Sequence, residues 1–318
     1  MRRLVFIAFA VVLAAAPALA RRHPPRPTPT PAPTPLPLEA RVELLRAQIS
    51  EIGRIAPGRL GVALVDTSHG ARVSLRGAEE FPLASTCKLA VALVAFRRVD
   101  QHRLDLDKRV VVKAADLRAG SEIAASHPRG GVSLTYWELV RAMLVDGDDT
   151  ASDLVLRTLG GPRAVQSVLD RLGIAGFRIR KSEAQLAAGA RRGRAFAGGG
   201  DNAGSPEGVA ALLVGIAAHR LLLEDSTDEM LAMLAASGGG AARLRAGLPD
   251  GVTFAHLSGA SRVSGGVAGA TNDAGIVTLP DGRRIVIVAF LAESNADGAA
   301  RDAILARVAS AAYDAFAP

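Results

Sequence analysis

Residues 81–96 read FPLASTCKLAVALVAF. From Leu89 to Phe96 the segment holds only leucine, alanine, valine and phenylalanine. Such a helix is apolar on every side and has to be enclosed by other elements. Ser85 and Lys88 stand out at its head. An ammonium among aliphatic residues is costly unless it is paired, so Lys88 is expected to have both a partner and a use. Residues three apart on a helix share a face, which puts the Lys88 amine within reach of the Ser85 hydroxyl. The first turn of a helix also favours developing negative charge. A serine beside a lysine that can accept its proton is a nucleophile. S-x-x-K occurs often by chance, and the apolar surround gives this instance its weight. Cys87 is the only cysteine, so no internal disulfide is possible, and its place in the helix reads as a small core residue.

Outward from this helix, the chain divides by pattern. A first helix is predicted over residues 39–52, followed by strands over 59–67 and 71–77. Three more strands are predicted over 252–260, 268–279 and 283–294, the last two joined by Pro280-Asp281-Gly282, a turn by composition. A final helix covers 298–316. The middle reads as helical. Thr135 with Glu138 forms a capping box, TASDLVLRTLGG ends on glycines, and PRAVQSVLDRLG carries proline in its first turn. Strands at both ends with helices between them predict an antiparallel sheet built from both ends of the chain, with an inserted helical lobe. The crevice between sheet and lobe is the expected binding site.

Residues 1–20 read as an export signal: two arginines, an apolar run, then Ala18-Leu19-Ala20. That run is too short for a transmembrane helix, so a periplasmic or secreted protein without a stable membrane span is expected. Residues 21–38 alternate proline with threonine and form an extended tether. The net charge of +7 includes the five arginines of residues 1–38, so the rest of the chain carries +2. With few aromatics as well, a nucleic-acid partner is excluded, and nothing points beyond a monomer.

FPLASTCK, RVDQHRLDLDKRV, GGVSLTYWELVRAMLVDGDDTASDLVL, LRAGLPDGVTFAHLSG and ATNDAGIV together resemble the class A serine β-lactamases, across residues 39–318. The resemblance implies an α/β (α+β) fold with an antiparallel five-stranded sheet flanked by helices and an all-helical lobe at about 81–214. It implies a small-molecule substrate, a β-lactam or a cell-wall-like amide, and no metal or other cofactor. Ser85 matches the acylated nucleophile and Lys88 the helix lysine. Glu183 matches the glutamate that activates the deacylating water, against the alternative of a surface glutamate in the polar loop 181–202. Ala187 stands where an asparagine would help hold that water.

Two motifs depart from the family pattern. Gly147-Asp148-Asp149 replaces S-D-N, so the serine that passes a proton to the leaving nitrogen is missing. Asp148 keeps a structural carboxylate. Asp149 puts a charge where an amide binds the substrate's side-chain carbonyl, or else caps the next helix. Leu257-Ser258-Gly259 replaces K-T-G, so a cation is lost while Ser258 and Gly259 fit as substrate-binding residues. The backbone N–H of Ala260, with that of Ser85, matches the oxyanion hole. Arg243 matches a carboxylate-binding arginine, against the alternative of an exposed helical one, and Arg262 reads as a solvated loop residue, against the alternative of a replacement positive charge for the crevice. The expected function is a Ser85 acyl-enzyme hydrolase with weak or altered activity. The alternative is a non-catalytic or slowly acylating homologue that binds cell-wall peptide or another ligand in the same crevice.

Overall fold

The computed structural model describes residues 36–191 and 201–317. The predicted export signal, most of the tether and the glycine-rich part of loop 181–202 lie outside the described residues. Helix α1 (Leu38–Ile55) leads into strands β1 (Arg59–Asp66) and β2 (Arg72–Leu75). A 3-10 turn at Ala84–Cys87 runs directly into α2 (Lys88–Asp100). The lobe continues with α3 (Tyr136–Val145), α4 (Asp149–Thr158), α5 (Pro162–Arg171) and α6 (Glu183–Arg191). Helices α7 (Pro206–Ala217) and α8 (Glu224–Ala235) return the chain to β3 (Thr253–Ala260), β4 (Thr271–Thr278) and β5 (Arg284–Ala292). Helix α9 (Gly298–Phe316) ends the domain.

The strands form one antiparallel sheet in the order β2-β1-β5-β4-β3. The first strand thus pairs with the last, Arg59 opposite Ala292 and Asp66 opposite Ile285. Both faces are covered, so β5 reads as a continuous apolar run instead of an alternating one. Ile285, Ile287 and Leu291 pack in the core under α1 and α9. Val286, Val288 and Phe290 face the opposite core, which includes the lobe. α1 joins the first core through Leu45, Ile49 and Ile52, one face of a helix by their spacing.

α2 is the centre of the lobe. Every residue from Lys88 to Phe96 is buried, as its all-apolar composition predicts. Two caps expected from sequence also form. Thr135 and Glu138 make their reciprocal bonds, and Gly161 precedes Pro162 at the start of α5. Between β3 and β4 the connecting residues form a small hairpin of Val263–Ser264 with Val267–Ala268. Its turn residues Gly265 and Gly266 have φ of 57° and 79°, the left-handed pair that a tight hairpin turn needs. Arg262 is exposed beside it.

Candidate active site

Ser85 sits half-buried in the 3-10 turn, and its carbonyl accepts the Lys88 amide. Ala84, just before it, has φ of 47°. A side-chain-bearing residue rarely adopts that conformation, and such strain concentrates at functional positions. β3 lies against this turn at Gly259. A Cβ there would meet the Ser85 amide nitrogen at 2.8 Å and that of Thr86 at 3.0 Å, so only glycine lets strand and turn come this close. β3 is the edge strand. The Ser261 amide donates to Ala270 across the ladder, and strand alternation therefore turns the Ala260 N–H to the free edge.

Lys88 is fully buried, and its ammonium donates to the Gly147 carbonyl at 2.6 Å and to Asp149 Oδ1 at 2.7 Å. These partners are on the far wall, whereas sequence spacing pointed to the Ser85 hydroxyl. Gly147 makes this wall possible by adopting φ of 68° in the tight connection before α4. Asp148 is the helix cap. Its Oδ1 accepts from Ala151, and its Oδ2 accepts from Ser121 Oγ and the Ile123 amide. The capping alternative raised for Asp149 therefore belongs to its neighbour, and Asp149 is left to Lys88.

Glu183 is not in an irregular loop. It is the first residue of α6 and is half-buried. Ser182 Oγ accepts from the Gln185 amide while Gln185 Oε1 accepts from the Ser182 amide, a capping box legible as S-x-x-Q. Asp153, inside α4, accepts the Glu183 and Ala184 amides at 2.7 and 3.0 Å and the Arg118 guanidinium at 2.6 Å. Asn202 fastens the start of the same segment. Its Oδ1 accepts the Arg180 and Lys181 amides, and its carbonyl accepts the Leu83 amide next to the nucleophile turn. Sequence reading missed Asp153 and Asn202. The available signal for Asp153 was an acid on the apolar side of TASDLVL.

Burial pushes the Glu183 carboxyl up to about 7; the Lys88 ammonium opposes this, and Asp149 and Asp153 add to it. The Cys87 thiol is also pushed up by burial, which keeps it an inert core group. We expect Asp153→Ala to lower stability by about 1–3 kcal/mol, through loss of the cap and an unpaired Arg118. It should also lengthen the life of any covalent adduct, because Glu183 loses its anchor. Urea unfolding with adduct decay followed by mass spectrometry checks both, and a stability loss with unchanged decay would assign Asp153 to structure alone.

Leu257 is 2% exposed and belongs to the core shared by sheet and lobe, so an aliphatic residue is well accommodated there. Ser258 points the other way, against the Gly239–Gly240 loop. A Cβ on Gly240 would lie 2.6 Å from Ser258 Cβ. Arg243 is neither exposed nor within a regular helix. Its guanidinium pairs with Asp302 at 2.9 Å and donates at 3.0 Å to the carbonyls of Gly259 and Asn272. The structure thus brings Ser85, Lys88, Asp149 and Glu183 together around one crevice. Gly259 is against the nucleophile, and Ser258 and Arg243 both lie beside Gly240.

A family model described as Beta-lactamase enzyme family matches residues 44–316. An ancestral class A β-lactamase of known structure is 34% identical, with a TM-score of 0.77 over 86% of this chain and all of its own. The chain belongs to the class A serine β-lactamase family. Among other relatives of this β-lactamase, the extended-spectrum β-lactamase PER-1 of Pseudomonas aeruginosa is 29% identical, covering 86% of this chain and 88% of its own length. A β-lactamase structure from Chitinophaga pinensis is 30% identical, with a TM-score of 0.80 over 86% of this chain and 99% of its own. The five-stranded sheet with its helical lobe is the family's fold, and the family's members are serine hydrolases.

Proposed function

We propose that the protein hydrolyses β-lactams, or closely related amides, through an acyl-enzyme on Ser85. The observation that supports this most is the buried Lys88 with Asp149 and Glu183 about it, beside a serine held against a glycine of the edge strand. Ser85 Oγ attacks the lactam carbonyl, and its proton passes through a water to the ionised Glu183 carboxylate, or to the Lys88 amine once that amine has handed a proton to Glu183. The amides of Ser85 and Ala260 receive the developing oxyanion. The C–N bond breaks, and the nitrogen takes up the proton that Ser85 gave, which leaves Glu183 ionised again. Water that has lost a proton to Glu183 then attacks the ester, releasing the acid and restoring the Ser85 hydroxyl. We further propose that residues 1–20 direct export and that the mature protein works as a monomer outside the cytoplasm. Among the described residues no helix is long and apolar enough to cross a membrane.

Intact-mass measurement during incubation with a penicillin tests this reading. A transient adduct on Ser85 is the expected result. A permanent adduct would indicate acylation without turnover, and no adduct at any concentration would leave a ligand-binding protein. For Arg243 the expected result of Arg243→Ala is a higher KM with a smaller change in kcat, because a carboxylate contact is held equally in ground and transition states. Its bonds to Asp302 and two carbonyls also brace β3, so the melting temperature should fall. A substrate without the carboxylate separates the two contributions: an equal kinetic loss with both substrates would make Arg243 a brace only.

A further inference from the structure

We infer that Asp149 makes this crevice select acyl groups that present an N–H donor, an ammonium best of all. The inference rests on the acyl-enzyme reading above and deepens it. Asp149 is the first residue of α4, and its Oδ1 is bonded to the Lys88 ammonium at 2.7 Å. The two partners differ in exposure, with the Lys88 side chain at 0% and that of Asp149 at 40%. The carboxylate therefore covers the ammonium and turns its remaining surface to the open side. Asp148 has no such freedom, because both its oxygens are taken by Ala151, Ser121 and Ile123.

The chemistry of a carboxylate decides what it can receive. An ionised carboxylate only accepts hydrogen bonds, whereas an amide at this position could donate one to a carbonyl. A substrate carbonyl placed against Asp149 sets lone pairs against lone pairs. An N–H there finds an acceptor, and an ammonium adds charge assistance. Among the described residues, the two wall positions matched to cations do little to offset this. Leu257 occupies the strand position facing the lobe, and the Arg243 guanidinium is engaged with Asp302, Gly259 and Asn272. The Glu183 carboxyl also lies within the field of the Lys88 ammonium, so this one lysine serves two acidic side chains.

The test compares acylation of Ser85, by quenched-flow and intact mass, for three penicillins that differ only in the acyl side chain. These are benzylpenicillin, aminobenzylpenicillin and its N-acetylated form, each rate divided by the compound's rate with hydroxide. The parent should favour the ammonium compound over benzylpenicillin by about tenfold, with the acetylated compound between them. Asp149→Asn should bring that ratio close to one by restoring a donor. A parent ratio at or below one, or a ratio that Asp149→Asn leaves unchanged, overturns the inference. Should Asp149→Asn not fold, raising ionic strength from about 0.05 to about 1 M screens charge. The parent's ratio must then fall toward that of the acetylated compound, and a constant ratio overturns the inference. Failure of all three compounds to label Ser85 refutes the hydrolase reading itself, which is a different result from equal labelling by all three.

Discussion

Ser85→Ala should gain no mass from any penicillin and should lose turnover by a factor on the order of 10⁶. Removing the hydroxyl leaves the crevice without its nucleophile, and no other serine among the described residues is held in a strained turn against an edge-strand glycine. The fold should survive, because the turn into α2 is closed by the Ser85 carbonyl and the Lys88 amide, both main-chain groups. Circular dichroism and a thermal melt should therefore match the parent. The informative failure is an adduct that persists on the variant. If peptide mapping placed it on Ser258, the nucleophile would be on β3 and the mechanism above would be wrong.

Glu183→Gln should slow deacylation by roughly 10²–10⁴-fold, the usual worth of a placed base, so that adduct accumulates. The parent's deacylation rate should also rise with pH through about 7 and level off above it, since only the ionised carboxyl can take the water's proton. Glu183→Gln should lack that rise. Stability moves in the opposite direction. A glutamate raised from the usual 4.5 to about 7 favours its neutral form in the folded chain. The stability linked to it is fully present below the unfolded value and is lost as pH climbs through 7. Parent and variant should thus converge in stability below about 4.5, separate as pH rises from there to about 7, and stay apart by a constant amount above it, to the parent's disadvantage. A pH-independent deacylation rate in the parent would remove Glu183 from the base's role.

Much of this molecule was legible in its residues. β5 and α2 could be read because burial on all sides leaves a continuous apolar run, and α9 because helix and termini coincided with residues 298–316. The lysine in an apolar helix pointed to the crevice from sequence alone. Contacts between segments distant in the chain could not be read. The Lys88 ammonium turns to Gly147 and Asp149, some sixty positions away, because the turn before α4 is folded onto it. Glu183 looked like a loop residue because glycine and arginine dominate the residues C-terminal to it. Its helix starts on a local capping box and is held by Asp153, thirty positions upstream. Asp302 as the partner of Arg243 had no local signal at all.

The pairing of β1 with β5 sets the order in which this chain can fold. While synthesis proceeds, β1 has only β2 to pair with, and a two-stranded hairpin is marginal in water. Its second neighbour begins at Arg284, so β1 waits for more than two hundred residues before its second ladder can close. Contacts so distant in sequence make folding slow. The five-stranded sheet therefore cannot be completed until residues 284–292 have been made.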